Sequence, residues 1–222
     1  MVTPVHIGVL GATGPAGSGL AARLAASGHE VIIGSRSHER AVEVRDELVG
    51  RWPDHALVIE AGDNQAAAGA EVVVIATPWD GASTTAASLV EQLDGKVVIC
   101  MANALTRMGK EFQPLVPPRG SVAGNVQAAL PGSRVAAAMH HIPAKELGDL
   151  SHPVESDVLV CSDHASATDV TSELIDSMPD MRALDAGSLA LAAPIEAFTA
   201  VLLQLNVRYK TRAAVKFTGI TR

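Results

Sequence analysis

Short apolar runs alternate with longer amphipathic stretches through the first two thirds of the chain. Val5 to Leu10 is apolar at nearly every position, as in a strand buried on both faces. Gly17 to Ser27 is rich in Ala and Leu and is closed by Gly28, which reads as a helix with a glycine stop. Glu30 to Gly34 is the second strand. Ser37 to Gly50 is a charged amphipathic helix with Ser37 at its N-cap and Arg40 three residues in. The alternation continues with a strand over Ala56 to Glu60, a short helix over Asn64 to Gly69 and a strand over Glu71 to Ala76. A helix follows Pro78, from Trp79 to Leu93, and the fifth strand is Lys96 to Met101. Ala102 to Gly120 holds Pro114, Pro117 and Pro118 and reads as loop. Ser121 to Leu130 is helical, and Arg134 to Met139 is the sixth strand. Strands alternating with helices predict an α/β protein with a doubly wound parallel sheet.

The join between the first strand and the first helix carries the strongest local signal. Gly11-Ala12-Thr13-Gly14-Pro15-Ala16-Gly17 places three glycines at the spacing GxxGxxG, with Ala12 where the strict fingerprint has a glycine. Gly11 permits a tight turn, Gly14 removes a Cβ where a pyrophosphate must approach, and Gly17 lets the helix pack close to the strand. Pro15 suits a first-turn position, where no N–H is needed. The helix start then offers free N–H groups and a positive dipole end to phosphates. A plain strand-to-helix turn is the alternative; following a strand and opening a helix, the pattern points to a Rossmann-like dinucleotide site.

After His141-Ile142-Pro143 the rhythm changes. A strand over Asp157–Cys161, a helix over Ala165–Met178 and a strand over Met181–Leu184 form a shorter unit. A long helical stretch follows from Leu189 to Tyr209, with Pro194 as its start or a kink. The expected organisation is a Rossmann-like domain over 1–143 and a smaller C-terminal α/β lobe over 144–222. No internal repeat or low-complexity linker is visible.

Composition narrows the function. The 222 residues carry a formal charge of −7, which argues against a nucleic-acid partner. Apolar residues make up 48%, enough for a sizeable core. No signal peptide and no charge-flanked apolar run of about 18 residues is read, so the expectation is a soluble, cytoplasmic protein without a membrane partner. Cys100 and Cys161 each end an apolar run and read as reduced core thiols, and two cysteines provide no metal framework. Aromatics are only 3%, so a planar ligand must be held mostly by backbone and aliphatic groups.

The end of the second strand distinguishes NAD from NADP. An NAD site places an acid about 20 residues past the glycines to accept from the ribose 2′-OH. Here Gly34-Ser35-Arg36-Ser37 offers hydroxyls and a guanidinium suited to a 2′-phosphate, with Arg40 one turn on. Ligands of an open α/β sheet bind at the carboxyl ends of its strands. Thr77-Pro78-Trp79, Met101-Ala102-Asn103 and Met139-His140-His141-Ile142-Pro143 should therefore ring the nicotinamide. Asn103 is placed to bond an amide or ribose, and Trp79 either lines the ring or caps the next helix. If His140 and His141 are extended they point to opposite sides, so at most one faces the cleft. His140 is the only catalytic candidate, and a structural role competes with that one. No zinc-ligand cluster is read, and no Ser–Lys–Tyr arrangement.

Several stretches in order resemble one family: Ile7-Gly8-Val9-Leu10-Gly11-Ala12-Thr13-Gly14, Gly34-Ser35-Arg36, Ala76-Thr77-Pro78-Trp79, His140-His141-Ile142-Pro143-Ala144, Leu184-Asp185-Ala186-Gly187-Ser188-Leu189 and Leu205-Asn206-Val207-Arg208-Tyr209-Lys210. The chain resembles the NADPH-dependent reductases of coenzyme F420, nearly from end to end. The resemblance implies a small oxidoreductase, usually a homodimer, with NADP on the Rossmann-like domain and a 5-deazaflavin in a cleft closed by the C-terminal lobe. Hydride would pass directly between nicotinamide C4 and deazaflavin C5. It implies nucleotide contacts at Thr13, Ser35 and Arg36, beside those the glycine turn itself offers at Gly11, Gly14, Pro15 and Ala16, and deazaflavin contacts at His140 and Ile142. The basic tail, Arg208, Lys210, Arg212 and Lys216, either meets the coenzyme's phosphate and glutamates or is a solvated basic terminus. The competing readings are another NADP-linked reductase, acting on an imine, ketone, flavin or metal, and a non-enzymatic NADP redox sensor.

Overall fold

A computed structural model describes residues 3–220. The elements run β1 (His6–Leu10), α1 (Pro15–Ala26), β2 (Glu30–Ser35), α2 (His38–Arg51), β3 (Ile59–Asp63), α3 (Asn64–Ala68), β4 (Val72–Ile75), α4 (Trp79–Ala87), α5 (Val90–Leu93) and β5 (Val97–Cys100). Then come β6 (Leu105–Met108), β7 (Glu111–Pro114), α6 (Val122–Ala129), β8 (Arg134–Ala137), α7 (Ala144–Leu147), β9 (Ser156–Ser162), α8 (Ala165–Asp176), β10 (Met181–Gly187), a 3-10 turn Leu189–Leu191 and α9 (Ala192–Tyr209).

Eight strands form one sheet in the order β10-β9-β8-β5-β4-β1-β2-β3. Six of them, β3-β2-β1-β4-β5-β8, are mutually parallel, with the order reversing direction at β1 and β4. That is the doubly wound, Rossmann-like α/β arrangement the alternation predicts, and its switch point opens a crevice at the strand ends. Val72–Ile75 and Val97–Cys100 are buried throughout, as befits strands covered on both faces. One core cluster packs α1, α2 and α8 on one side of the sheet, with Leu20, Leu24, Val44, Leu174 and Ile175. Another packs α3, α4, α6 and the start of α9 on the other, with Ala82, Ala86, Val126, Leu130 and Ile195.

The chain beyond residue 143 continues this sheet. β9 pairs antiparallel to β8 through Ala137↔Cys161, and β10 runs parallel to β9. Because β9 reverses, the starts of β9 and β10 lie at the same edge as the carboxyl ends of the six parallel strands. Cys100 and Cys161 both face Ala137 from flanking strands, which sets them two strand spacings apart, about 10 Å, beyond disulfide reach.

Three expectations are corrected. The third strand sits three residues later than its apolar run, because pairing to β2 begins at Val31↔Ile59 and leaves Val58 exposed. The helix after Pro78 ends at Ala87, and a separate turn of helix, α5, follows Leu89. The stretch read as loop folds into a hairpin, β6–β7, turning at Gly109 with φ of 62°. Connections are fixed from within. Arg23, 3% exposed, donates to the carbonyls of Glu146 (2.7 Å), Leu147 (3.1 Å), Asp149 and His152 (3.2 Å) and so ties the stretch 146–152 to α1. The C-terminal stretch is held by Asp157. Its carboxylate accepts two bonds from Arg182, at 2.7 and 2.6 Å, and one from the Phe217 N–H. These donors hold the Asp157 carboxyl below the usual range.

Candidate active site

The glycine turn is built as its spacing requires. Gly11 has φ of 76°, and its N–H donates to the Gly34 carbonyl at 3.1 Å, joining the turn to the end of β2. A Cβ on Gly17 would lie 2.8 Å from the Ala12 Cα, so only glycine allows α1 this close. Gly14 differs: its backbone is extended, and a Cβ there would meet only the Gly11 carbonyl oxygen, at 3.7 Å. Space is therefore kept clear above Gly14, in front of the start of α1. Gly14 is the N-cap and supplies no side-chain cap, Pro15 has no N–H, and the Ala16 and Gly17 N–H groups are left for an anion. A phosphate-bearing ligand fits this cradle on geometry alone.

The end of β2 supplies the second feature. Ser37 caps α2, accepting from the Arg40 N–H at 3.3 Å, while Ser35 accepts from the Ser37 N–H at 3.2 Å and keeps its own proton free to donate. Arg36 is exposed and makes no ion pair among the described residues. Arg40 pairs with Glu43 at 2.7 Å on its own helix. Ser35 and Arg36 stand ready for a phosphate, and Arg40 is drawn aside.

The three stretches expected to ring the crevice do follow β4, β5 and β8. Thr77 touches the glycine turn, its Cγ2 2.8 Å from where a Cβ of Gly11 would sit, and its buried hydroxyl has no partner. Pro78 is the N-cap of α4, and Trp79, 36% exposed, is its first residue. Asn103 is turned inward. Its amide donates to the His140 carbonyl at 2.9 Å and its oxygen accepts from the Thr199 hydroxyl at 3.2 Å. Thr199 also lies 3.1 Å from the His140 carbonyl, so α9 is tied to the loop after β8.

The two histidines are not extended. Met139 takes a left-handed conformation, φ 67°, and the Ile142 N–H bonds back to its carbonyl at 3.4 Å. Both imidazoles are buried: His140 and His141 are each 3% exposed. Burial pushes His140 down to about 3; the Met101 and Ala102 carbonyls oppose this weakly, and neither is a well-aligned acceptor. Burial likewise pushes His141 down to about 4, against the pull of Asp157, and its Nε2 accepts from the Leu159 N–H at 3.3 Å. A buried neutral ring of this kind shapes a wall; it is not placed to exchange a proton with a ligand. Ile142, 7% exposed, packs beside it in the core.

Glu196 escapes motif reasoning altogether. Its carboxylate accepts from the Val122 N–H (2.9 Å) and Ala123 N–H (3.1 Å), at the first turn of α6, and burial raises it to about 7. It is the sole acid between Leu189 and Tyr209, and an acid in so apolar a helix is the signal that marks it. This stretch of 21 residues, with a mean hydropathy of 1.5 over its most apolar 18, is long and apolar enough to cross a membrane, contrary to the sequence reading. Here it buries Ala192, Ile195, Glu196, Thr199, Ala200 and Leu202 within the fold. Of the four basic tail residues, Arg212 pairs with Glu146 and Lys216 with Glu155, so two of the expected coenzyme contacts are already engaged.

Comparison with known proteins agrees with this geometry. Residues 6–104 match a family model described as NADP oxidoreductase, coenzyme F420-dependent. An F420-dependent NADP reductase of Methanocaldococcus jannaschii is 37% identical over 221 residues, spanning 97% of both chains. Its counterpart from Methanothermobacter marburgensis is 36% identical over 97% of this chain and 99% of the relative. A crystal structure of a candidate F420-dependent NADP-reductase from Arthrobacter sp. FB24 superposes with a TM-score of 0.79 and 26% identity, covering 94% of this chain and 96% of that one. With relatives this similar along nearly its full length, and a phosphate cradle at the position their cofactor chemistry needs, the chain belongs to the coenzyme F420-dependent NADP oxidoreductase family.

Proposed function

We propose that this protein is an oxidoreductase passing a hydride between NADP(H) and coenzyme F420, the reaction that names its full-length relatives. The observation that carries the reading is the clear space at Gly14 before two free N–H groups, joined through Gly11 to the Ser35–Arg36 strand end. The Ala16 and Gly17 N–H groups and the α1 dipole would hold the diphosphate. The Ser35 hydroxyl and the Arg36 guanidinium would hold the 2′-phosphate, which favours NADP over NAD. When bound, the reduced nicotinamide supplies a hydride at C4 and the deazaflavin accepts it at C5. Carbon-to-carbon transfer asks the chain for alignment and a dry site more than for acid–base groups. Neutral, buried His140 and His141 suit that demand. Thr77, Pro78 and Ile142 shape the walls, and the Asn103–Thr199–His140 bonds fix the loop after β8 relative to α9.

In this reading residues 1–143 hold the dinucleotide and 144–222 close the deazaflavin cleft; residues 1, 2, 221 and 222 of those spans lie outside the described residues. The protein works as a cytoplasmic homodimer. Phe198, Val201 and Leu205 on α9 are exposed beside the hairpin's Met108, and the following Leu115 and Val116, an apolar face suited to a second copy. Sedimentation at micromolar concentration should give a dimer, and a monomer would remove that part of the reading. A polar, bonded Glu196 and Thr199 on the buried side of α9 suit a packed helix rather than a lipid-facing one.

The test of the reaction is isotopic. Deuterium from one face of C4-labelled NADPH should appear in reduced coenzyme F420 by mass spectrometry without washing into water, and FMN should be reduced much more slowly. Label lost to solvent, or FMN reduced as fast, would favour a general NADP-linked reductase.

A further inference from the structure

The turn after β8 is held in a conformation that its own sequence does not favour. Met139 is left-handed, with φ of 67°, and is buried. A side chain of this kind stays left-handed only where its surroundings leave it no alternative. The bond within the turn, from the Ile142 N–H to the Met139 carbonyl, is long at 3.4 Å. The firmer hold comes from outside. The carbonyl of the next residue, His140, accepts from the Asn103 amide at 2.9 Å and lies 3.1 Å from the Thr199 hydroxyl. These three groups close a triangle, because Thr199 is also 3.2 Å from the Asn103 side-chain oxygen. A hydroxyl carries one proton. Given to the Asn103 oxygen, it fixes which end of the amide meets the His140 carbonyl. Thr199 is 7% exposed and Asn103 is half-buried, so little water competes for these bonds.

The triangle joins three distant pieces of chain: the loop after β5, the loop after β8 and the buried face of α9. One turn earlier on that face, Glu196 accepts from the Val122 N–H at 2.9 Å and the Ala123 N–H at 3.1 Å. That second anchor holds α9 in place without help from Thr199. The Thr199 hydroxyl is therefore free to serve the loops rather than the helix. Both loops leave carboxyl ends of parallel strands, where the crevice opens. Hydride transfer between two carbons depends on alignment, and a shift of about 1 Å in a wall can cost up to about a hundredfold in rate.

We infer that Asn103 and Thr199 are positioning residues for hydride transfer: by clamping the His140 carbonyl they hold the left-handed Met139 turn and so set the Ile142–Pro143 wall of the crevice. The inference rests on the proposed function, and its test separates the two. The variants are Thr199→Val, which removes the hydroxyl at nearly constant volume, and Asn103→Asp, which accepts but cannot donate to the carbonyl. Single-turnover reduction of coenzyme F420 by NADPH, with both saturating, should slow about tenfold or more in each. The dissociation constant of NADPH should stay within twofold. Thr199→Ser, which returns the hydroxyl, should recover most of the rate lost in Thr199→Val. A merely loosened fold would lower the amplitude of the reaction, not its rate constant. The clamp itself is read without either coenzyme, by hydrogen exchange. Residues 139–143 should exchange at least fivefold faster in both variants, with α9 exchanging as in the wild type. An unchanged rate constant, or unchanged exchange in the turn, overturns the inference. So does a loss of NADPH affinity as large as the loss of rate, which would make these residues direct contacts, and so does faster exchange throughout α9. Failure of the wild type to reduce coenzyme F420 overturns the function instead, and the exchange measurement still decides the clamp.

Discussion

Gly14→Asp is expected to abolish useful NADPH binding while leaving the protein as stable as before. Gly14 has φ −87° and ψ 159°, a conformation any residue adopts, and a Cβ there meets nothing closer than 3.7 Å. Aspartate is a favoured N-cap, so its carboxylate should accept from the Ala16 or Gly17 N–H and add a few tenths of a kcal/mol to α1. Those are the donors a diphosphate needs, and the carboxylate adds like charge where the phosphates arrive. Losing two charge-assisted bonds and meeting that repulsion should cost about 3 kcal/mol or more, roughly a hundredfold in Kd. Calorimetric titration with NADPH and a thermal melt give the two halves of the result. An unchanged Kd would mean the nucleotide does not use this cradle. A collapsed melting temperature would mean the space above Gly14 is not open.

The second large effect lies in the dependence of stability on acid. His140 and His141 are held neutral down to about 3 and 4, whereas an unfolded chain protonates them below 6.5. The unfolded state then binds more protons, so stability falls as pH drops through this window. From pH 6.5 to 4.5 the pair should cost about 5 kcal/mol. Glu196 works in the opposite direction. It is raised to about 7 in the fold, so between pH 7 and 4.5 the native state holds the extra proton and gains about 3 kcal/mol as pH falls. The net loss should be about 2 kcal/mol by pH 4.5. Urea unfolding of Glu196→Gln across that range should reveal the full histidine slope, about 5 kcal/mol, whatever its stability at neutral pH. Equal slopes in variant and wild type would refute the opposition of these groups.

Local chemistry made the glycine turn, the Ser37 cap and the six parallel strands legible, because a two-faced buried strand and a phosphate turn are written in adjacent residues. The misses share a different cause. β3 was displaced because its position is set by hydrogen bonds to β2, not by where Ala56 to Val58 look apolar. The β6–β7 hairpin was read as loop on the strength of its prolines; Pro114 is tolerated at the end of an isolated two-stranded ribbon. That β9 and β10 extend the first sheet depends on a reversal after Pro143, which no residue in the stretch announces. An extended backbone would send the two histidines to opposite sides with at most one toward the cleft; Met139 is left-handed instead, and both rings are buried. Asn103, expected to reach a ligand, is taken by Thr199 and the His140 carbonyl, a partner from nearly 100 residues away.

The reversal of β9 has a practical side. Val5 enters β1 at the edge of the sheet away from the crevice, whereas Val215 and Phe217 are bonded to Asp157 at the edge where the crevice opens. The two ends of the described chain thus leave from opposite poles. An affinity handle, a fluorophore or a fused electron-transfer partner attached before Val5 would hang clear of both coenzymes. The same cargo attached after Phe217 would sit at the mouth of the site, shielding it or, with a chosen partner, delivering reducing equivalents directly to it.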